Sequence, residues 1–314
     1  MSDALNLPAL IKEIGRGARG ARDLSRDQAT LLFGAMLDGQ VEDLLLGAIV
    51  LALRVKGESL EELLGFAAAL QARTHTLTPP PGPRLVLLPA LNGARKLLNL
   101  MPLLALHLAA HGVPVLVHGR SDFGAARGDS FALLAALGHP MCASADEAEA
   151  RLATQRLAVL PSALLCPGLD ALLALRPRLG LRNSAHTLVK LLDPAPGRSV
   201  RVAAVTHGEF LQRLAEALPL LTAADGGAAL LLKGCEGEAY PHPRRPSSLQ
   251  AWCTGAAWPI APAEAVEDPL WDTLGDPQTD AARLRELLQA GPAAWPQRLR
   301  DMAEHVQALA SYSK

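Results

Sequence analysis

Residues 79–96 read PPPGPRLVLLPALNGARK, and the character of the sequence changes across this stretch. Proline donates no backbone hydrogen bond and stiffens the chain, so residues 79–83 predict a boundary or hinge. The apolar run at 84–88 predicts a strand, because short apolar runs alternate with helical stretches from this point on. The turn that follows contains Gly93 and then two cations, just before a helical pattern. We therefore divide the chain at residue 79.

The sequence before this boundary predicts a small all-helical domain, residues 1–78. Ser25 with Gln28, and Ser59 with Glu62, have the spacing of capping boxes, which mark the first turn of a helix. Gly57 is typical of the residue that ends one. The predicted helices cover residues 5–14, 25–37, 41–56 and 59–73.

The sequence after the boundary predicts a large α/β domain, residues 79–314, with a mostly parallel sheet flanked by helices. A helical insertion at 169–192 is expected to join the N-terminal domain, and residues 241–277 show little periodicity. Ligands of such sheets bind at the carboxyl ends of the strands, so the loops there are the candidate sites. The predicted strands are 84–88, 113–117, 157–161, 200–205 and 228–233, and the predicted helices are 97–111, 130–138, 145–153, 208–217 and a final pair within 280–310.

The charge of the chain is balanced overall but not locally. The 314 residues include 30 Lys and Arg against 31 Asp and Glu, which excludes a histone-like protein that binds nucleic acid through bulk charge. Residues 176–213 nevertheless carry a net charge of +5 and residues 84–127 of +4, whereas residues 264–314 carry −4. Arg accounts for 24 of the 30 cations. This preference reflects either a GC-rich genome or contact with phosphates, which Arg binds in a bidentate manner.

The cysteines and the apolar segments predict a cytoplasmic protein without a membrane partner. The four cysteines have no CxxC spacing, so we expect reduced, buried thiols and neither disulfides nor a metal site. Residues 1–4 lack the basic and apolar regions of a secretory signal. The uncharged run from Leu97 to Gly119 is broken by prolines, histidines and a glycine, so we interpret it as a buried helix and strand.

Three segments could carry a ligand. The turn at 92–96 is either a phosphate cradle or an ordinary connection. The loop after the second strand begins with His118, a possible acid or base or a structural histidine. The third segment is basic: Arg178, Arg182, His186 and Lys190 are four residues apart, which predicts one face of a helix that begins after Gly180. That face either binds an anionic partner or is merely solvated.

The same segments resemble the anthranilate phosphoribosyltransferase family, glycosyltransferase family 3, over nearly the whole chain. The motifs KEIGRG (12–17), NGARK (92–96), VHG (117–119) and GLRNSAHTL (180–188) are closer still to its divergent YbiB-like branch. The family resemblance implies a helical domain, an α/β domain, ligands in the cleft between them and homodimers formed through the helical domains. Branch membership implies non-sequence-specific nucleic-acid binding without established transferase activity.

The chain departs from the transferase motifs in three places. The family's Gly-Thr-Gly-Gly-Asp turn, which holds a diphosphate, corresponds to Leu91–Arg95, where most of the glycines are missing and a cation replaces the acid. Its Lys-His-Gly-Asn-Arg segment corresponds to Val117–Ser121, without the leading Lys. Its magnesium-binding Asp-Glu pair falls near 239–240, with Glu236 and Glu238 just before. We therefore expect no cofactor, and magnesium only if the chain is an active transferase.

Three hypotheses follow. The first is a homodimer that binds the phosphate backbone of nucleic acid, on a surface that Arg16, Arg19 and Arg22 would extend across the dimer. The second is an active phosphoribosyltransferase or nucleoside phosphorylase, and the third is a nucleotide-sensing relic of the fold. The tryptophans at 252, 258, 271 and 295 either stack on bases or anchor loops. The candidate phosphate-binding residues are Asn92, Gly93, Arg95, Lys96, His118, Gly119, Arg120, Arg178, Arg182, Asn183, His186, Lys190, Arg198 and Arg201.

Overall fold

A computed structural model describes residues 6–17, 19–91, 93–121, 127–245, 248–260 and 268–312. The chain forms two compact units. The helical unit consists of Met1–His75 with Ser162–Pro194, and the α/β unit consists of Thr76–Pro161 with Ala195–Lys314. The limits expected for the helical domain from the sequence were 1–78 with 169–192.

The helices and strands follow in this order along the chain: α1 (Leu7–Ile14), α2 (Arg26–Leu37), α3 (Asp43–Lys56), α4 (Leu60–Gln71), β1 (Leu85–Ala90), α5 (Met101–Ala110), β2 (Val115–Gly119), α6 (Ser130–Ala136), α7 (Ala145–Gln155), β3 (Leu157–Pro161), α8 (Ser162–Leu165), α9 (Pro167–Leu173), α10 (Arg176–Leu179), α11 (Ala185–Leu188), β4 (Ser199–Val205), α12 (Gly208–Asp225), β5 (Ala228–Lys233), β6 (Gln250–Cys253), β7 (Ala256–Trp258), α13 (Pro277–Ala290) and α14 (Gln297–Ser311).

The core of the helical unit forms where α2 packs on α4. Both predicted capping boxes are present and start these two helices, because each serine accepts the N–H three residues on and that residue's side chain accepts the serine N–H. The rings of Phe33 and Phe66 stack with centroids 4.8 Å apart. Gly65 allows the close approach, since a Cβ there would lie 2.4 Å from the carbonyl oxygen of Arg26. The predicted helical character of this region is therefore confirmed.

The α/β unit is built on a seven-stranded sheet with the order β3-β2-β1-β4-β5-β6-β7. The first five strands in this order are parallel, as predicted, and β6 and β7 are antiparallel. One face of the sheet packs against helices that include α5, α13 and α14, and this contact forms the main core. Parallel strands buried on both faces need continuous apolar runs, which β1 has throughout and β2 has over Val115–Val117.

Three sequence predictions in the α/β unit differ from the structure. The helix predicted over residues 208–217 runs on to Asp225. The hairpin of β6 and β7 lies within the region that showed little periodicity. Its two-residue turn, Thr254-Gly255, has φ values of 50° and 83°, which suit a tight antiparallel connection. The helix predicted from residue 97 begins only at Met101, because Leu98 N–H and Lys96 C=O bond to the backbone of Trp271 and Thr273 instead.

All four cysteines are buried free thiols, as expected. Among the described helices, none combines the length and the apolar character needed to cross a membrane.

Candidate functional site

The carboxyl ends of β1 and β2 meet at a close backbone contact that Gly119 makes possible. Gly119 has a φ of +143°, and a Cβ on it would lie 2.0 Å from the carbonyl oxygen of Ala90. That oxygen accepts the N–H of Arg120 at 3.1 Å. Because only glycine has no Cβ, a side chain at 119 would push the two strand ends apart. The candidate residues Gly119 and Arg120 therefore lie where the first two loops begin.

The loop after β1 pairs with the loop after β2. Ala94 and Gly128 exchange two backbone hydrogen bonds, at 3.1 and 2.8 Å. Gly93 adopts a φ of 62°, and a Cβ there would come within 2.9 Å of the Cβ of Arg127. The turn predicted as a phosphate cradle is thus fixed against its neighbour. Asn92 lies outside the described residues, as does the segment 122–126 of the glycine-rich loop.

Glu238 fixes this turn from the other side. The carboxylate is fully buried: Oε1 accepts the N–H of Gly93 at 3.0 Å, and Oε2 accepts the hydroxyl of Ser130 at 2.9 Å. Asn99, also fully buried, donates to Ser130 Oγ at 2.8 Å and to the carbonyl oxygen of Gly128 at 2.9 Å. A buried carboxylate needs such donors, so this network holds three loops together.

Glu236 binds the backbone N–H groups that follow Gly93 in the same turn. Its Oε2 atom accepts the N–H groups of Arg95 at 2.6 Å, Lys96 at 3.1 Å and Leu97 at 3.4 Å. Successive N–H groups that converge on one oxygen form an anion-binding nest. The side chains of Arg95 and Lys96 are exposed beside it. The nest expected to bind a phosphate therefore holds a carboxylate of the chain itself.

This arrangement does not fit a magnesium ion. Magnesium requires several oxygen ligands in near-octahedral geometry, whereas the oxygens of Glu236 and Glu238 named above accept hydrogen bonds from protein N–H and O–H groups. Within the described ranges, no group of three or more His, Cys, Asp or Glu side chains is arranged to hold a metal.

Two of three further candidates are buried within strands, and the third lies at the opposite edge of the sheet. His118 is 1% exposed inside β2, between Pro89 and Leu160 on the neighbouring strands, which fits a structural role better than acid–base chemistry. Arg201 is buried within β4, and its guanidinium lies 2.6 Å from Asp225, so it does not fit a phosphate contact. Arg198 lies just before the amino end of β4, the opposite edge of the sheet, and donates to the carbonyl oxygen of Pro80.

The single basic helix predicted over residues 180–190 is wrong. Helix α10 ends at Leu179, Gly180 takes a left-handed φ of 70°, and α11 covers only Ala185–Leu188. Asn183 explains the break: its side chain is buried, donates to the carbonyl oxygen of Leu172 at 2.7 Å and accepts the N–H of Ala185 at 3.0 Å. These bonds hold the chain in a turn between two short helices, and they give Asn183 a structural role.

The fold nevertheless gathers cations around His186. Burial, and then repulsion from Arg182, Arg176 and Lys190, lowers the pKa of His186 from 6.5 to about 3, so the ring is neutral near pH 7. Arg178 is not among these cations and lies instead 3.4 Å from Asp43, on an exposed surface. We call Arg176, Arg182, His186 and Lys190 the basic cluster. Arg176, which the candidate residues did not include, belongs to it.

Among the remaining candidates, two N-terminal arginines have an acidic neighbour and two tryptophans are buried. Glu13 lies 3.2 Å from Arg16 and 3.9 Å from Arg22, so two of the three N-terminal arginines have an acidic neighbour. Trp295 is buried and donates to the carbonyl oxygen of Leu287 at 2.8 Å, while Trp252 is buried within β6. These two tryptophans anchor the C-terminal part of the chain, which fits the alternative to base stacking.

Comparisons with known proteins agree with the fold and the motifs. The model of the glycosyl transferase family helical bundle domain matches residues 8–74. The uncharacterized protein YbiB of Escherichia coli is 44% identical over 238 residues, which cover 75% of this chain and 73% of that protein. An anthranilate phosphoribosyltransferase of Methylocella silvestris is 30% identical over 281 residues, covering 88% of this chain and 78% of the enzyme.

The solved structures show the same fold. The anthranilate phosphoribosyltransferase of Thermus thermophilus superimposes with a TM-score of 0.70 at 24% identity, over 96% of this chain and 88% of that enzyme. On the strength of the sequence relatives, this chain belongs to the anthranilate phosphoribosyltransferase family, glycosyltransferase family 3.

Proposed function

We propose that this phosphoribosyltransferase-type protein binds the phosphate backbone of nucleic acid without sequence specificity, as a homodimer. The observation that carries the proposal is the basic cluster of the helical unit. Arg176, Arg182 and Lys190 lie close enough to His186 to lower its pKa together, and residues 171–192 carry four cations and no acid.

The physical reason is the local excess of positive charge in residues 171–192, which attracts a polyanion, and binding releases the condensed counterions of that polyanion. Contacts to phosphate oxygens carry no sequence information, so the binding is non-specific. Arg182 and Lys190 are each partly exposed, which a contact with a backbone phosphate requires.

The α/β unit supports the same proposal because its loops do not favour the alternative, phosphoribosyl transfer. The turn of residues 93–97 uses four backbone N–H groups to bind the carboxylates of Glu236 and Glu238. A diphosphate would need those donors, and Ala94 and Arg95 stand where the transferase motif has glycine and acid. Neither feature favours transfer from a diphosphate donor.

We expect the Arg182→Ala and Lys190→Ala variants to bind DNA more weakly and with a shallower salt dependence. Each lost phosphate contact reduces the slope of log K against log salt by about 0.9. The measurement is fluorescence anisotropy with a labelled duplex of mixed sequence and its single strand, between about 50 and 200 mM salt. Arg283→Ala, in α13 of the acidic C-terminal region, is the control and should leave the slope unchanged. The absence of binding by the unsubstituted protein at low salt would reject the proposal.

The second candidate is phosphoribosyl transfer, which the relatives favour. A protein 30% identical to this chain over 281 residues is named an anthranilate phosphoribosyltransferase. Titration calorimetry with phosphoribosyl diphosphate and magnesium separates the two candidates. Micromolar binding followed by consumption of an aromatic amine would establish transfer, while heat no greater than that of dilution would favour nucleic-acid binding alone.

A further inference from the structure

The carboxylate of Glu236 lies in a position that an external anion could take. Three consecutive N–H groups, from Arg95, Lys96 and Leu97, point at its Oε2 atom over 2.6, 3.1 and 3.4 Å. We infer that Glu236 is an internal occupant of this nest and that it keeps the loop closed to phosphate and diphosphate ions. The inference concerns the α/β unit and does not depend on nucleic-acid binding.

The nest has the properties of a site for a phosphoanion. Its donors are backbone N–H groups, which carry partial positive charge and are held by the fold. The two cations of the loop, Arg95 and Lys96, are exposed beside it, so a dissolved anion can reach the site and is attracted by both positive charges. An oxygen of a phosphate group and an oxygen of a carboxylate accept the same hydrogen bonds from such donors.

The backbone around Glu236 holds the carboxylate in place. Glu236 has a left-handed φ of 52°, unusual for a residue with a Cβ, and Gly237 follows with a φ of 95°. Two backbone hydrogen bonds close the turn. The N–H of Cys235 donates to the carbonyl oxygen of Tyr240 at 2.7 Å, and the N–H of Glu238 donates to the carbonyl oxygen of Cys235 at 2.9 Å. This conformation presents the Glu236 side chain to the neighbouring loop.

The two glutamates differ in burial, and this difference indicates that Glu238 stabilises the turn whereas Glu236 only occupies the nest. Glu238 is fully buried and joins Gly93 to Ser130, so its removal would leave buried donors without an acceptor. Glu236 is only half-buried, and two of its three donors, Arg95 and Lys96, are exposed residues. Water or an ion can replace its carboxylate. Since Glu238 braces the turn, Glu236 can leave the nest without taking the loop apart.

The test is calorimetric titration of inorganic diphosphate and inorganic phosphate into the full chain and its variants. An occupant that fills the nest nine-tenths of the time lowers the apparent affinity about tenfold. Glu236→Ala and Glu236→Gln should therefore bind diphosphate at least about tenfold more tightly than the unsubstituted protein. Glu216→Gln, an exposed position on α12, removes the same charge elsewhere and should bind as the unsubstituted protein does.

Three results would overturn the inference. The first is equal diphosphate affinity in the unsubstituted protein and in a folded Glu236 variant. The second is a diphosphate-induced shift of the Arg95, Lys96 and Leu97 amide resonances in the unsubstituted protein at concentrations that already saturate the Glu236→Gln variant, since the nest would then be open. The third is loss of the folded state in both Glu236 variants, measured by circular dichroism, which would show that Glu236 is needed to stabilise the fold. DNA affinity, measured in parallel, reports on the basic cluster and not on this nest.

Discussion

Single residues set the geometry of the loops at the carboxyl edge of the sheet. Gly119 brings the ends of two strands together, Glu238 fixes the turn after β1, and Glu236 accepts hydrogen bonds from the N–H groups of that turn. Each of these roles depends on one atom or on its absence: a Cβ that is missing or a carboxylate oxygen at hydrogen-bond distance. Conservative changes at these positions should therefore have large and specific effects.

We expect Gly119→Ala to destabilise the protein by more than about 2 kcal/mol, because the new Cβ would lie 2.0 Å from a backbone oxygen at a φ of +143°. Urea denaturation measures the change in the free energy of unfolding. Gly208→Ala is the matched control, since it begins a helix and a Cβ there meets nothing within 4 Å. Equal stability of the two variants would contradict this account of Gly119.

At the scale of elements, the first turn of α4 shows how a cap becomes part of the core. Glu62 completes the capping box with Ser59 and also accepts the N–H of Leu24 at 2.9 Å and the Nζ of Lys56 at 2.6 Å. Glu62 is fully buried, and the Lys56 side chain is 7% exposed. One carboxylate thereby joins α4 to the end of α3 and to the segment before α2. Its neighbour Glu61 makes an ion pair with Arg26 in solvent.

Glu62→Ala should cost about 3–5 kcal/mol of stability, because it leaves a buried ammonium and buried N–H groups with fewer acceptors. Glu61→Ala should cost about 1 kcal/mol or less, since exposed ion pairs contribute little. Thermal denaturation of both variants, followed by circular dichroism, compares the two. A Tm loss of the same size at both positions would show that the buried network is not what holds the first turn.

The elements also show which local patterns can be read correctly. Both capping boxes and the five parallel strands were predicted, because caps and apolar runs act within a few residues. The basic helix was wrong because i, i+4 spacing also occurs in a chain that turns, and Asn183 and Gly180 favour a turn. The hairpin of β6 and β7 was missed because Gln250–Cys253 and Ala256–Trp258 are too short to show a period, although Thr254-Gly255 between them was a usable turn signal.

At the scale of the whole molecule, the helical unit exposes an apolar face that bears on self-association. Leu44, Leu51 and Val55 lie on one side of α3 and are 75%, 51% and 63% exposed. Residues seven and eleven positions apart share a helix face, so the three form a continuous stripe. Large exposed apolar patches are typical of interfaces. This stripe supports the proposed homodimer.

We expect Leu51→Lys to disrupt the proposed homodimer and give a monomer, because a charge in the middle of an apolar interface is expensive to desolvate. Sedimentation velocity across a range of protein concentrations measures the change. Leu220→Lys, on α12 of the other unit, replaces a leucine of similar exposure (47%) and should leave the association state unchanged. A dimer that survives Leu51→Lys would place the interface elsewhere.

Periodicity, caps and motifs are local and survive in the linear order of residues, so they were enough to predict the helical N-terminal region, the parallel sheet and the family. The sequence also located the charge of residues 176–213 and the turn of residues 92–96. What those groups contact is visible only in the folded chain. Glu236 reaches N–H groups about 140 residues earlier in the chain, and Arg201 meets Asp225 inside the fold. Such contacts depend on how distant segments pack, since a carboxylate or a guanidinium takes its role from its neighbours in space.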